Sequence, residues 1–395
     1  MCGFSAVGGE DKYWCGTGWT GQPVIWERPD GITELIFGAY DKQVHFVNAA
    51  DGTPTRNPFF IGDIIKGSVV LDPDGYALLY VGSRADRYSI IALDREDPVE
   101  IWSLPSNSVK GKWNNDWDSS PIIIDDYLLE GGENSWWFAV KLNRSVGDDG
   151  LVAIDPEIAF SMPVWTDELV AKVGSQHSIE SSTVMSGGVA YVGTGAGRII
   201  GIDIPSIAMG DPKLVFDFWV GDDVDATIVT DAAGALYVAS EIDLATSRGT
   251  ELGQLMKLDP ALDDPLVWSI PIPGSGARAG GVWATPALEN DVLYVATNTG
   301  NLLAVDTRTG AILDTDTIGG HAWSSPNIVD KTLIVAINCE SVPALRAYDL
   351  TTPGELVQIW EMPTGTGCIE STPVIWNGRM YVGSRDGFFY AFGDQ

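Results

Sequence analysis

Acidic side chains stand just ahead of short strand-like segments at several places in the chain. In Ile369-Glu-Ser-Thr-Pro373, Glu370 comes three residues before the proline that leads into PVIW. Asp118, Glu180 and Asp225 occupy the same place ahead of similar segments. Carboxylates drawn from several loops are the hard oxygen ligands that Ca²⁺ prefers, and they cannot all ionise close together without a nearby cation. The spacing therefore predicts a site that binds a cation or a cation-assisted ligand.

Other polar and aromatic residues occupy this position, or the position two residues earlier, in the remaining copies of the pattern. The residue between the two positions is mostly apolar, and strand side chains alternate between faces, so the two polar positions share one direction. The predicted ligand-binding set is Lys66, Asp118, Glu180, Asp225, Trp283, His321, Trp323 and Glu370. The predicted metal ligands are Asp116, Asp118, Glu180, Asp223 and Asp225. The alternative is a solvated set of acids that hydrogen-bond backbone amides of neighbouring loops. The pattern assigns no catalytic residue.

The elements that position these residues form an internal repeat. Its most regular part is a seven-residue segment, present in eight copies: ELIFGAY, LLYVGSR, YLLEGGE, VAYVGTG, ALYVASE, VLYVATN, TLIVAIN and RMYVGSR. A short strand and a turn such as Asn377-Gly378 precede each copy, which indicates a hairpin. A third strand follows and usually ends in Asp, as in LLAVD306 and LVAID155, and a fourth often carries Trp, as in VQIW360. Each unit therefore predicts four antiparallel strands.

Eight such units in 395 residues give a mean period of about 49 residues, which falls in the range of propeller blades. We expect an all-β chain that folds as a single eight-bladed β-propeller of four-stranded antiparallel blades. The polar positions would then surround the mouth of the central channel. Residues 1–16 are expected to form a terminal segment and residues 17–395 the propeller, and Lys12 to Trp14 are candidates for the fourth strand of the last blade. The best helical segment is Asp167 to Val173.

The unit VLYVATNTGNLLAVDTRTG, from Val292 to Gly310, closely resembles the repeats of quinoprotein-like (PQQ-like) propellers. The resemblance covers essentially the whole chain and implies the eight-bladed fold. It implies two kinds of function, because the family contains PQQ- and Ca²⁺-dependent dehydrogenases as well as non-enzymatic binding proteins. The dehydrogenases typically hold their cofactor between a Trp and two adjacent cysteines, and this chain has no adjacent cysteines and only three His. We therefore expect a binding or scaffold protein with Ca²⁺ as the candidate ion and without PQQ; the alternative is a PQQ/Ca²⁺-dependent dehydrogenase that uses the same residues.

The charge balance restricts the partners. The chain has 23 Lys and Arg against 54 Asp and Glu, a formal net charge of −31. Nucleic acids and anionic membranes bind clustered Lys and Arg, so neither is an expected partner. No apolar run reaches the roughly 18 residues of a membrane span, and no signal-peptide pattern precedes Glu10. The expected partner is a protein, a small molecule or a glycan.

The four cysteines fall into two local pairs without zinc-type spacing. Cys2 and Cys15 would tie down the terminal segment. Cys339 ends the second strand of the seventh unit and Cys368 precedes the first strand of the eighth, so a Cys339–Cys368 bridge between neighbouring blades is also expected. An even number of cysteines in an acidic, Trp-rich β protein favours disulfides and an extracellular or periplasmic location. Reduced, buried thiols in a cytosolic protein are the alternative.

Overall fold

The structure is a computed structural model, and it describes residues 1–7, 9–18, 21–274, 280–338, 344–362 and 368–393. The chain divides into two compact units. The first unit is Met1–Met162 together with Ser371–Gln395, and the second is Pro163–Glu370. Both units consist mainly of antiparallel sheets whose strands follow one another along the chain.

The first unit holds repeats 1, 2, 3 and 8 and two small hairpins. The N-terminal hairpin is β1 (Cys2–Val7) and β2 (Glu10–Cys15). Repeat 1 comprises β3 (Val24–Glu27), β4 (Thr33–Gly38), β5 (Gln43–Asn48) and β6 (Phe59–Phe60). Repeat 2 comprises β7 (Val70–Leu71), β8 (Leu78–Val81), β9 (Arg87–Ala92) and β10 (Val99–Pro105), followed by a 3-10 turn, Ser106–Ser108. Repeat 3 comprises β11 (Ile122–Ile124), β12 (Tyr127–Gly132), β13 (Trp136–Lys141) and β16 (Glu157–Pro163), with the hairpin β14 (Ser145–Val146) and β15 (Val152–Ala153) inserted before its last strand.

The second unit holds repeats 4 to 7 and three short helices. Repeat 4 comprises α1 (Asp167–Val173), β17 (Val184–Ser186), β18 (Val189–Val192), β19 (Arg198–Asp203), α2 (Ile204–Ala208) and β20 (Lys213–Trp219). Repeat 5 comprises β21 (Val229–Thr230), β22 (Leu236–Ala239), α3 (Ser247–Leu252), β23 (Leu255–Leu258) and β24 (Leu266–Ile270). Repeat 6 comprises β25 (Ala287–Glu289), β26 (Val292–Ala296), β27 (Asn301–Asp306) and β28 (Ile312–Thr317). Repeat 7 comprises β29 (Asn327–Val329), β30 (Thr332–Ala336), β31 (Leu345–Asp349) and β32 (Val357–Glu361).

Repeat 8 returns the chain to the first unit with β33 (Val374–Trp376), β34 (Arg379–Gly383) and β35 (Phe389–Phe392). Every copy of the seven-residue segment forms the second strand of its sheet, as the repeat predicts. Where β33 turns into β34, Asn377 and Gly378 both have positive φ, 47° and 74°. Two consecutive positive φ values define the turn whose twist suits a two-residue hairpin, and Asn-Gly adopts it at low cost. This local chemistry sets the register in which apolar side chains face the core.

The structure differs from two strand assignments made from the sequence. LVAID155 does not supply the third strand of repeat 3, because β13 takes that place and Val152 pairs with Val146 in the inserted hairpin. Lys12 to Trp14 do not pair with repeat 8, since β2 pairs with β1 and the described residues give repeat 8 three strands. The disulfide Cys2–Cys15, which closes the base of the β1–β2 hairpin, favours this local pairing. The helix predicted at Asp167 to Val173 is confirmed, with Thr166 as its N-cap. The division into residues 1–16 and 17–395 stays a prediction.

Candidate functional site

The segment before each first strand shows the predicted alternation of faces. The apolar residue between the two polar positions is almost fully buried in the seven repeats in which the structure describes it: Ile65, Trp117, Ile179, Val224, Val282, Ala322 and Ile369. Trp19 and Thr20, the equivalents in repeat 1, lie outside the described residues. The two polar positions on either side of this apolar residue therefore point to the face opposite to it, because successive strand side chains point to opposite faces.

A recurring backbone hydrogen bond adds a third position to the candidate site. The last residue of the seven-residue segment donates its N–H to the carbonyl of the earlier polar position in the same repeat. These bonds are Arg84 to Ile64 (3.0 Å), Glu133 to Asp116 (3.0 Å), Gly195 to Ser178 (2.9 Å), Glu241 to Asp223 (2.8 Å), Asn298 to Gly281 (3.1 Å) and Asn338 to His321 (2.9 Å). The side chains that end the second strands thus lie beside the predicted ones. Reading down the last letter of the aligned segments would have found them.

In the first unit the predicted acids already have cationic partners. Lys66 Nζ contacts the Asp118 carboxylate and lies 3.5 Å from Glu133 Oε1, while Arg84 Nε lies 2.6 Å from Asp116 Oδ2. Burial and then the nearby Asp118 carboxylate raise the pKa of Asp116 to about 6, against the opposing effect of the two cations. Three carboxylates here face two organic cations. This compensation makes Asp116 and Asp118 weaker candidates for metal ligation than the sequence predicts.

In the second unit three further carboxylates meet. Oxygen atoms of Asp223, Asp225 and Glu241 all lie within 4.8 Å of one another. Asp223 and Glu241 are 4% and 3% exposed, and neither contacts a lysine or arginine within the described residues. Burial, reinforced by the Asp225 and Glu180 carboxylates, raises the pKa of both groups well above the usual range. The structure therefore brings together the predicted Asp223, Asp225 and Glu180, and adds Glu241.

Rigid backbone contacts support this carboxylate group. The neighbouring Asp222 carboxylate accepts the N–H groups of Asp223, Asp243, Leu244 and Ala245 at 2.8–3.0 Å, which fixes the loop that follows Glu241. Gln176 Nε2 donates to Asp223 Oδ2 at 2.5 Å and to Asp243 Oδ2 at 3.0 Å. The acids are thus held close together by the fold rather than free to separate.

Two polar atoms, one of Asp223 and one of its neighbour Ser178, have no hydrogen-bond partner in the described part of the chain. They are Asp223 Oδ1 and the hydroxyl of Ser178, a fully buried residue. Both atoms lie close to Gly195: a Cβ at residue 195 would lie 2.4 Å from Ser178 Oγ and 3.4 Å from Asp223 Oδ1, so a larger residue there would collide with the hydroxyl. Buried polar atoms are normally hydrogen-bonded, so orphans of this kind require an explanation.

The predicted aromatic residues also come together in the second unit. The Trp283 and Trp323 rings stack with centroids 4.5 Å apart at 21°, and His321 lies 5.2 Å from Trp323. The Asn338 amide donates to His321 Nε2 at 3.1 Å. The Thr227 N–H donates to Thr285 Oγ1 at 2.9 Å, which aligns the segments that carry Asp225 and Trp283. The tryptophans therefore belong to the next two repeats along the chain from the carboxylates.

Two further predictions concern the segment before repeat 8. Glu370 is 2% exposed, at the end of the second unit. The Cys339–Cys368 pairing lies outside the described residues, because Cys339 is not among them. The Cys2–Cys15 disulfide is present, with the Cα atoms 4.1 Å apart.

The charges of these groups do not suit PQQ, a quinone that carries three carboxylates. In the second unit the buried acids would repel it, since like charges in a desolvated site raise each other's energy. In the first unit Lys66 and Arg84 would have to exchange their present carboxylate partners for those of the ligand.

The comparisons with known proteins agree with the repeat architecture. No protein-family profile matches the chain. The chain is 25% identical over 321 residues to the outer membrane protein assembly factor BamB of Salmonella typhimurium, covering 78% of this chain and 70% of that protein. The crystal structure of BamB from Moraxella catarrhalis superposes with a TM-score of 0.63 at 15% identity, over 94% of each chain. The computationally designed protein Ika8 gives 0.62 at 9% identity, over 96% of each chain.

The chain has the eight-bladed β-propeller fold, and its repeats resemble those of quinoprotein-like propellers. Both the resemblance and the fold class predicted from the repeat are confirmed. Among the described residues, no helix is both long enough and apolar enough to cross a membrane.

Proposed function

We propose that this chain is a non-enzymatic, protein-binding scaffold that works outside the cytoplasm in assembly at the cell envelope. The observation that carries the proposal is the sequence similarity to an outer membrane protein assembly factor over 78% of the chain. The Cys2–Cys15 disulfide supports the location, because disulfides persist in oxidising compartments. A function as a binding module also agrees with the charges around Asp223 and Lys66, which do not suit PQQ.

The outer strands offer a surface through which a protein could bind. In repeat 7, Val357, Ile359 and Trp360 of β32 are 51%, 56% and 40% exposed. In repeat 6, Ile312 and Leu313 of β28 are 48% and 49% exposed. The two strands are linked, since the Leu356 N–H donates to Asp314 Oδ2 at 2.8 Å. We call these five residues the outer patch. Contiguous exposed apolar side chains that include a Trp are typical of protein interaction sites.

Two residues of the outer patch, Leu313 and Ile359, lie at a repeated irregularity of the strand pairing. The pairing of the third and fourth strands skips one fourth-strand residue in repeats 2, 4, 5, 6 and 7: Ile101, Val215, Val267, Leu313 and Ile359. Such a bulge leaves its extra residue unpaired and twists the edge, which hinders the addition of another strand. The outer edges are therefore suited to side-chain contacts with a partner rather than to β-strand addition.

Photo-crosslinking tests the proposal. A photoreactive amino acid would replace Leu313 or Ile359 in the outer patch. The matched control is Val146, an equally apolar residue that is 63% exposed in the β14–β15 hairpin of the first unit. In cells of the source organism we expect both outer-patch positions to give the same adduct with one envelope protein, and position 146 to give none. The Ile359→Asp substitution should remove the adduct formed from position 313.

Two results would contradict the proposal. One is an adduct pattern that does not distinguish the outer patch from position 146. The other is a dye-linked dehydrogenase activity that appears when the purified protein is incubated with PQQ and Ca²⁺, because that activity would favour the oxidoreductase alternative.

A further inference from the structure

The sheet of repeat 8 differs from the other sheets of the repeat at its outer edge. Among the described residues, seven repeats form four-stranded sheets in which an antiparallel fourth strand covers the third, whereas repeat 8 has three strands and ends at β35 (Phe389–Phe392). We infer that the outer edge of β35 binds an extended segment of a partner protein, which adds to the sheet as its fourth strand. The inference rests on the proposed function only in taking the ligand to be a protein, and it concerns a surface separate from the outer patch.

The backbone of β35 presents hydrogen-bonding groups at this edge. β34 and β35 pair in a regular register, and at their turn the Ser384 N–H donates to the carbonyl of Phe388 at 3.0 Å. Bonded and non-bonded pairs alternate along an antiparallel ladder. Tyr390 therefore also bonds to β34, while the N–H and C=O groups of Phe389 and Ala391 point away from it. No strand of the described chain pairs with β35 on that side.

This edge lacks the features that protect strand edges from further pairing. The outer strands of repeats 2, 4, 5, 6 and 7 carry a bulge, whereas the pairing of β35 has no register shift. Residues 387–393 include no charged residue and no proline, although 19% of the chain is charged. Bulges, prolines and charges are the usual means by which natural sheets prevent edge-to-edge pairing. The edge of β35 is therefore suited to strand addition, unlike the bulged edges of the other repeats.

The side chains of β35 indicate which strand fits. Phe388, Tyr390 and Phe392 lie along one face, with successive ring centroids 6.3 Å and 6.0 Å apart, and Phe388 is 64% exposed. On the other face, Phe389 stacks on Phe37 of repeat 1 at 4.1 Å, which holds β35 in the first unit. Aromatic side chains pair favourably with aromatic and β-branched residues of a neighbouring strand. The partner segment should therefore carry large apolar residues at alternate positions.

The charge of the chain favours a different protein over a second copy as the partner. The formal net charge is −31, so two copies repel each other, whereas a segment flanked by Lys or Arg is attracted. Repeat 5 shows the geometry of the addition, because β24 (Leu266–Ile270) covers β23, a third strand of four residues like β35. The expected partner segment is thus extended, alternately apolar and flanked by basic residues.

A synthetic peptide tests the inference. The probe is the β24 sequence LVWSI with two lysines added at each end, because β24 covers a third strand of the same length as β35. We expect the full chain to bind one probe in isothermal titration, with an affinity that falls as salt is added. A control probe with proline in place of the serine should bind at least tenfold more weakly, since proline lacks the N–H that pairs with an edge strand.

Substitutions at Ala391 distinguish strand addition from non-specific adsorption of the probe. Ala391→Pro removes an N–H that points away from β34, so it should preserve the pairing of β34 with β35 and weaken probe binding at least tenfold. The matched control is Ala391→Val, which also changes the side chain but retains the N–H. Its affinity for the probe should stay within twofold of the parent.

Hydrogen exchange decides the outcome even if Ala391→Pro does not fold. In the parent protein the amides of Phe389 and Ala391 should exchange at least tenfold faster than that of Tyr390, and saturating probe should remove this difference. The inference is overturned if the parent does not bind the probe, if the difference is absent without the probe, or if both Ala391 variants bind it equally. Sedimentation of the parent as a dimer that Ala391→Pro dissociates would also overturn it, because the partner would then be a second copy. None of these results depends on crosslinking from the outer patch, so a failure here is distinguishable from a failure of the proposed function.

Discussion

A buried glutamate in repeat 3 should make the stability of this protein depend on pH in an unusual direction. Glu130 is the fourth residue of YLLEGGE, where the other seven copies of the segment have Val or Phe. It is 0% exposed, and its Oε2 has no hydrogen-bond partner among the described residues. Burial in this apolar setting raises the pKa of Glu130 to about 8 from an ordinary value of 4.5.

The contacts of Ser119 agree with a neutral Glu130. Ser119 Oγ lies 2.6 Å from Glu130 Oε1 and 2.6 Å from the carbonyl of Gly131. A hydroxyl has one hydrogen, so it can donate to only one of these oxygens. Both short contacts are satisfied if the protonated Glu130 donates to Ser119 and Ser119 donates to Gly131. Among the described residues, no lysine or arginine pairs with Glu130, and the nearby Tyr88 hydroxyl is also buried without a hydrogen-bond partner.

The pKa difference sets the magnitude and the sign of the effect. The folded state keeps a proton that the unfolded state releases above pH 4.5, so the contribution of Glu130 to stability is complete at low pH and is lost as the pH rises towards 8. Between these values each pH unit lowers the free energy of unfolding by about 1.4 kcal/mol. From pH 5 to pH 7 the loss is therefore about 2.7 kcal/mol.

The Glu130→Gln substitution isolates this term, because glutamine has a similar shape and does not titrate. We expect the free energy of unfolding of Glu130→Gln, measured relative to the parent by chemical denaturation, to rise by about 2.7 kcal/mol between pH 5 and pH 7. Glu157→Gln, an exposed change in β16 of the same sheet, should show no such trend. A difference between Glu130→Gln and the parent that stays constant from pH 5 to pH 8 would refute the reasoning, since it would mean that Glu130 is ionised in the folded state.

Two other features allow direct tests. Arg84→Met should lower the free energy of unfolding by about 3 kcal/mol at pH 7.5, because it leaves the Asp116 carboxylate buried without its closest cation. The loss should be smaller at pH 5, which is below the pKa of about 6 of Asp116. An equal loss at both pH values would contradict the ion-pair explanation. Replacing Cys2 and Cys15 by Ser should speed hydrogen exchange of the β1–β2 amides, because the disulfide closes a hairpin at the chain terminus. The amides of β30 in the second unit should keep their exchange rates. Unchanged exchange in β1–β2 would show that the disulfide does not stabilise the hairpin.

The repeat and its strands were readable from the sequence because the forces that define them are local. Alternating apolar residues and turns such as Asn377-Gly378 act over a few residues, and eight copies of one pattern reinforce each other. The same local signal failed in repeat 3, where both Trp136–Lys141 and LVAID155 are strand-like. Which of the two segments forms the third strand of the repeat depends on the strand that each one pairs with, and the sequence pattern does not specify it. The prediction that Lys12 to Trp14 pair with repeat 8 was wrong for a related reason. The edge of a strand can pair with any neighbouring strand, and the Cys2–Cys15 disulfide favours pairing with β1, which is next to it in the chain.

The features of the candidate site also divide into those that the sequence indicated and those that only the tertiary structure decided. The sequence by itself indicated which positions of the repeat share one direction, and the structure brings Asp223 and Asp225 together and stacks Trp283 on Trp323. The tertiary structure alone decided which acids share a cation. Lys66 comes from repeat 2 yet contacts Asp118 of repeat 3, and Glu241 joins Asp223 from the far end of a strand. Whether a carboxylate is compensated depends on distances of a few ångströms and on desolvation, and packing sets both only after residues distant in the chain have come together.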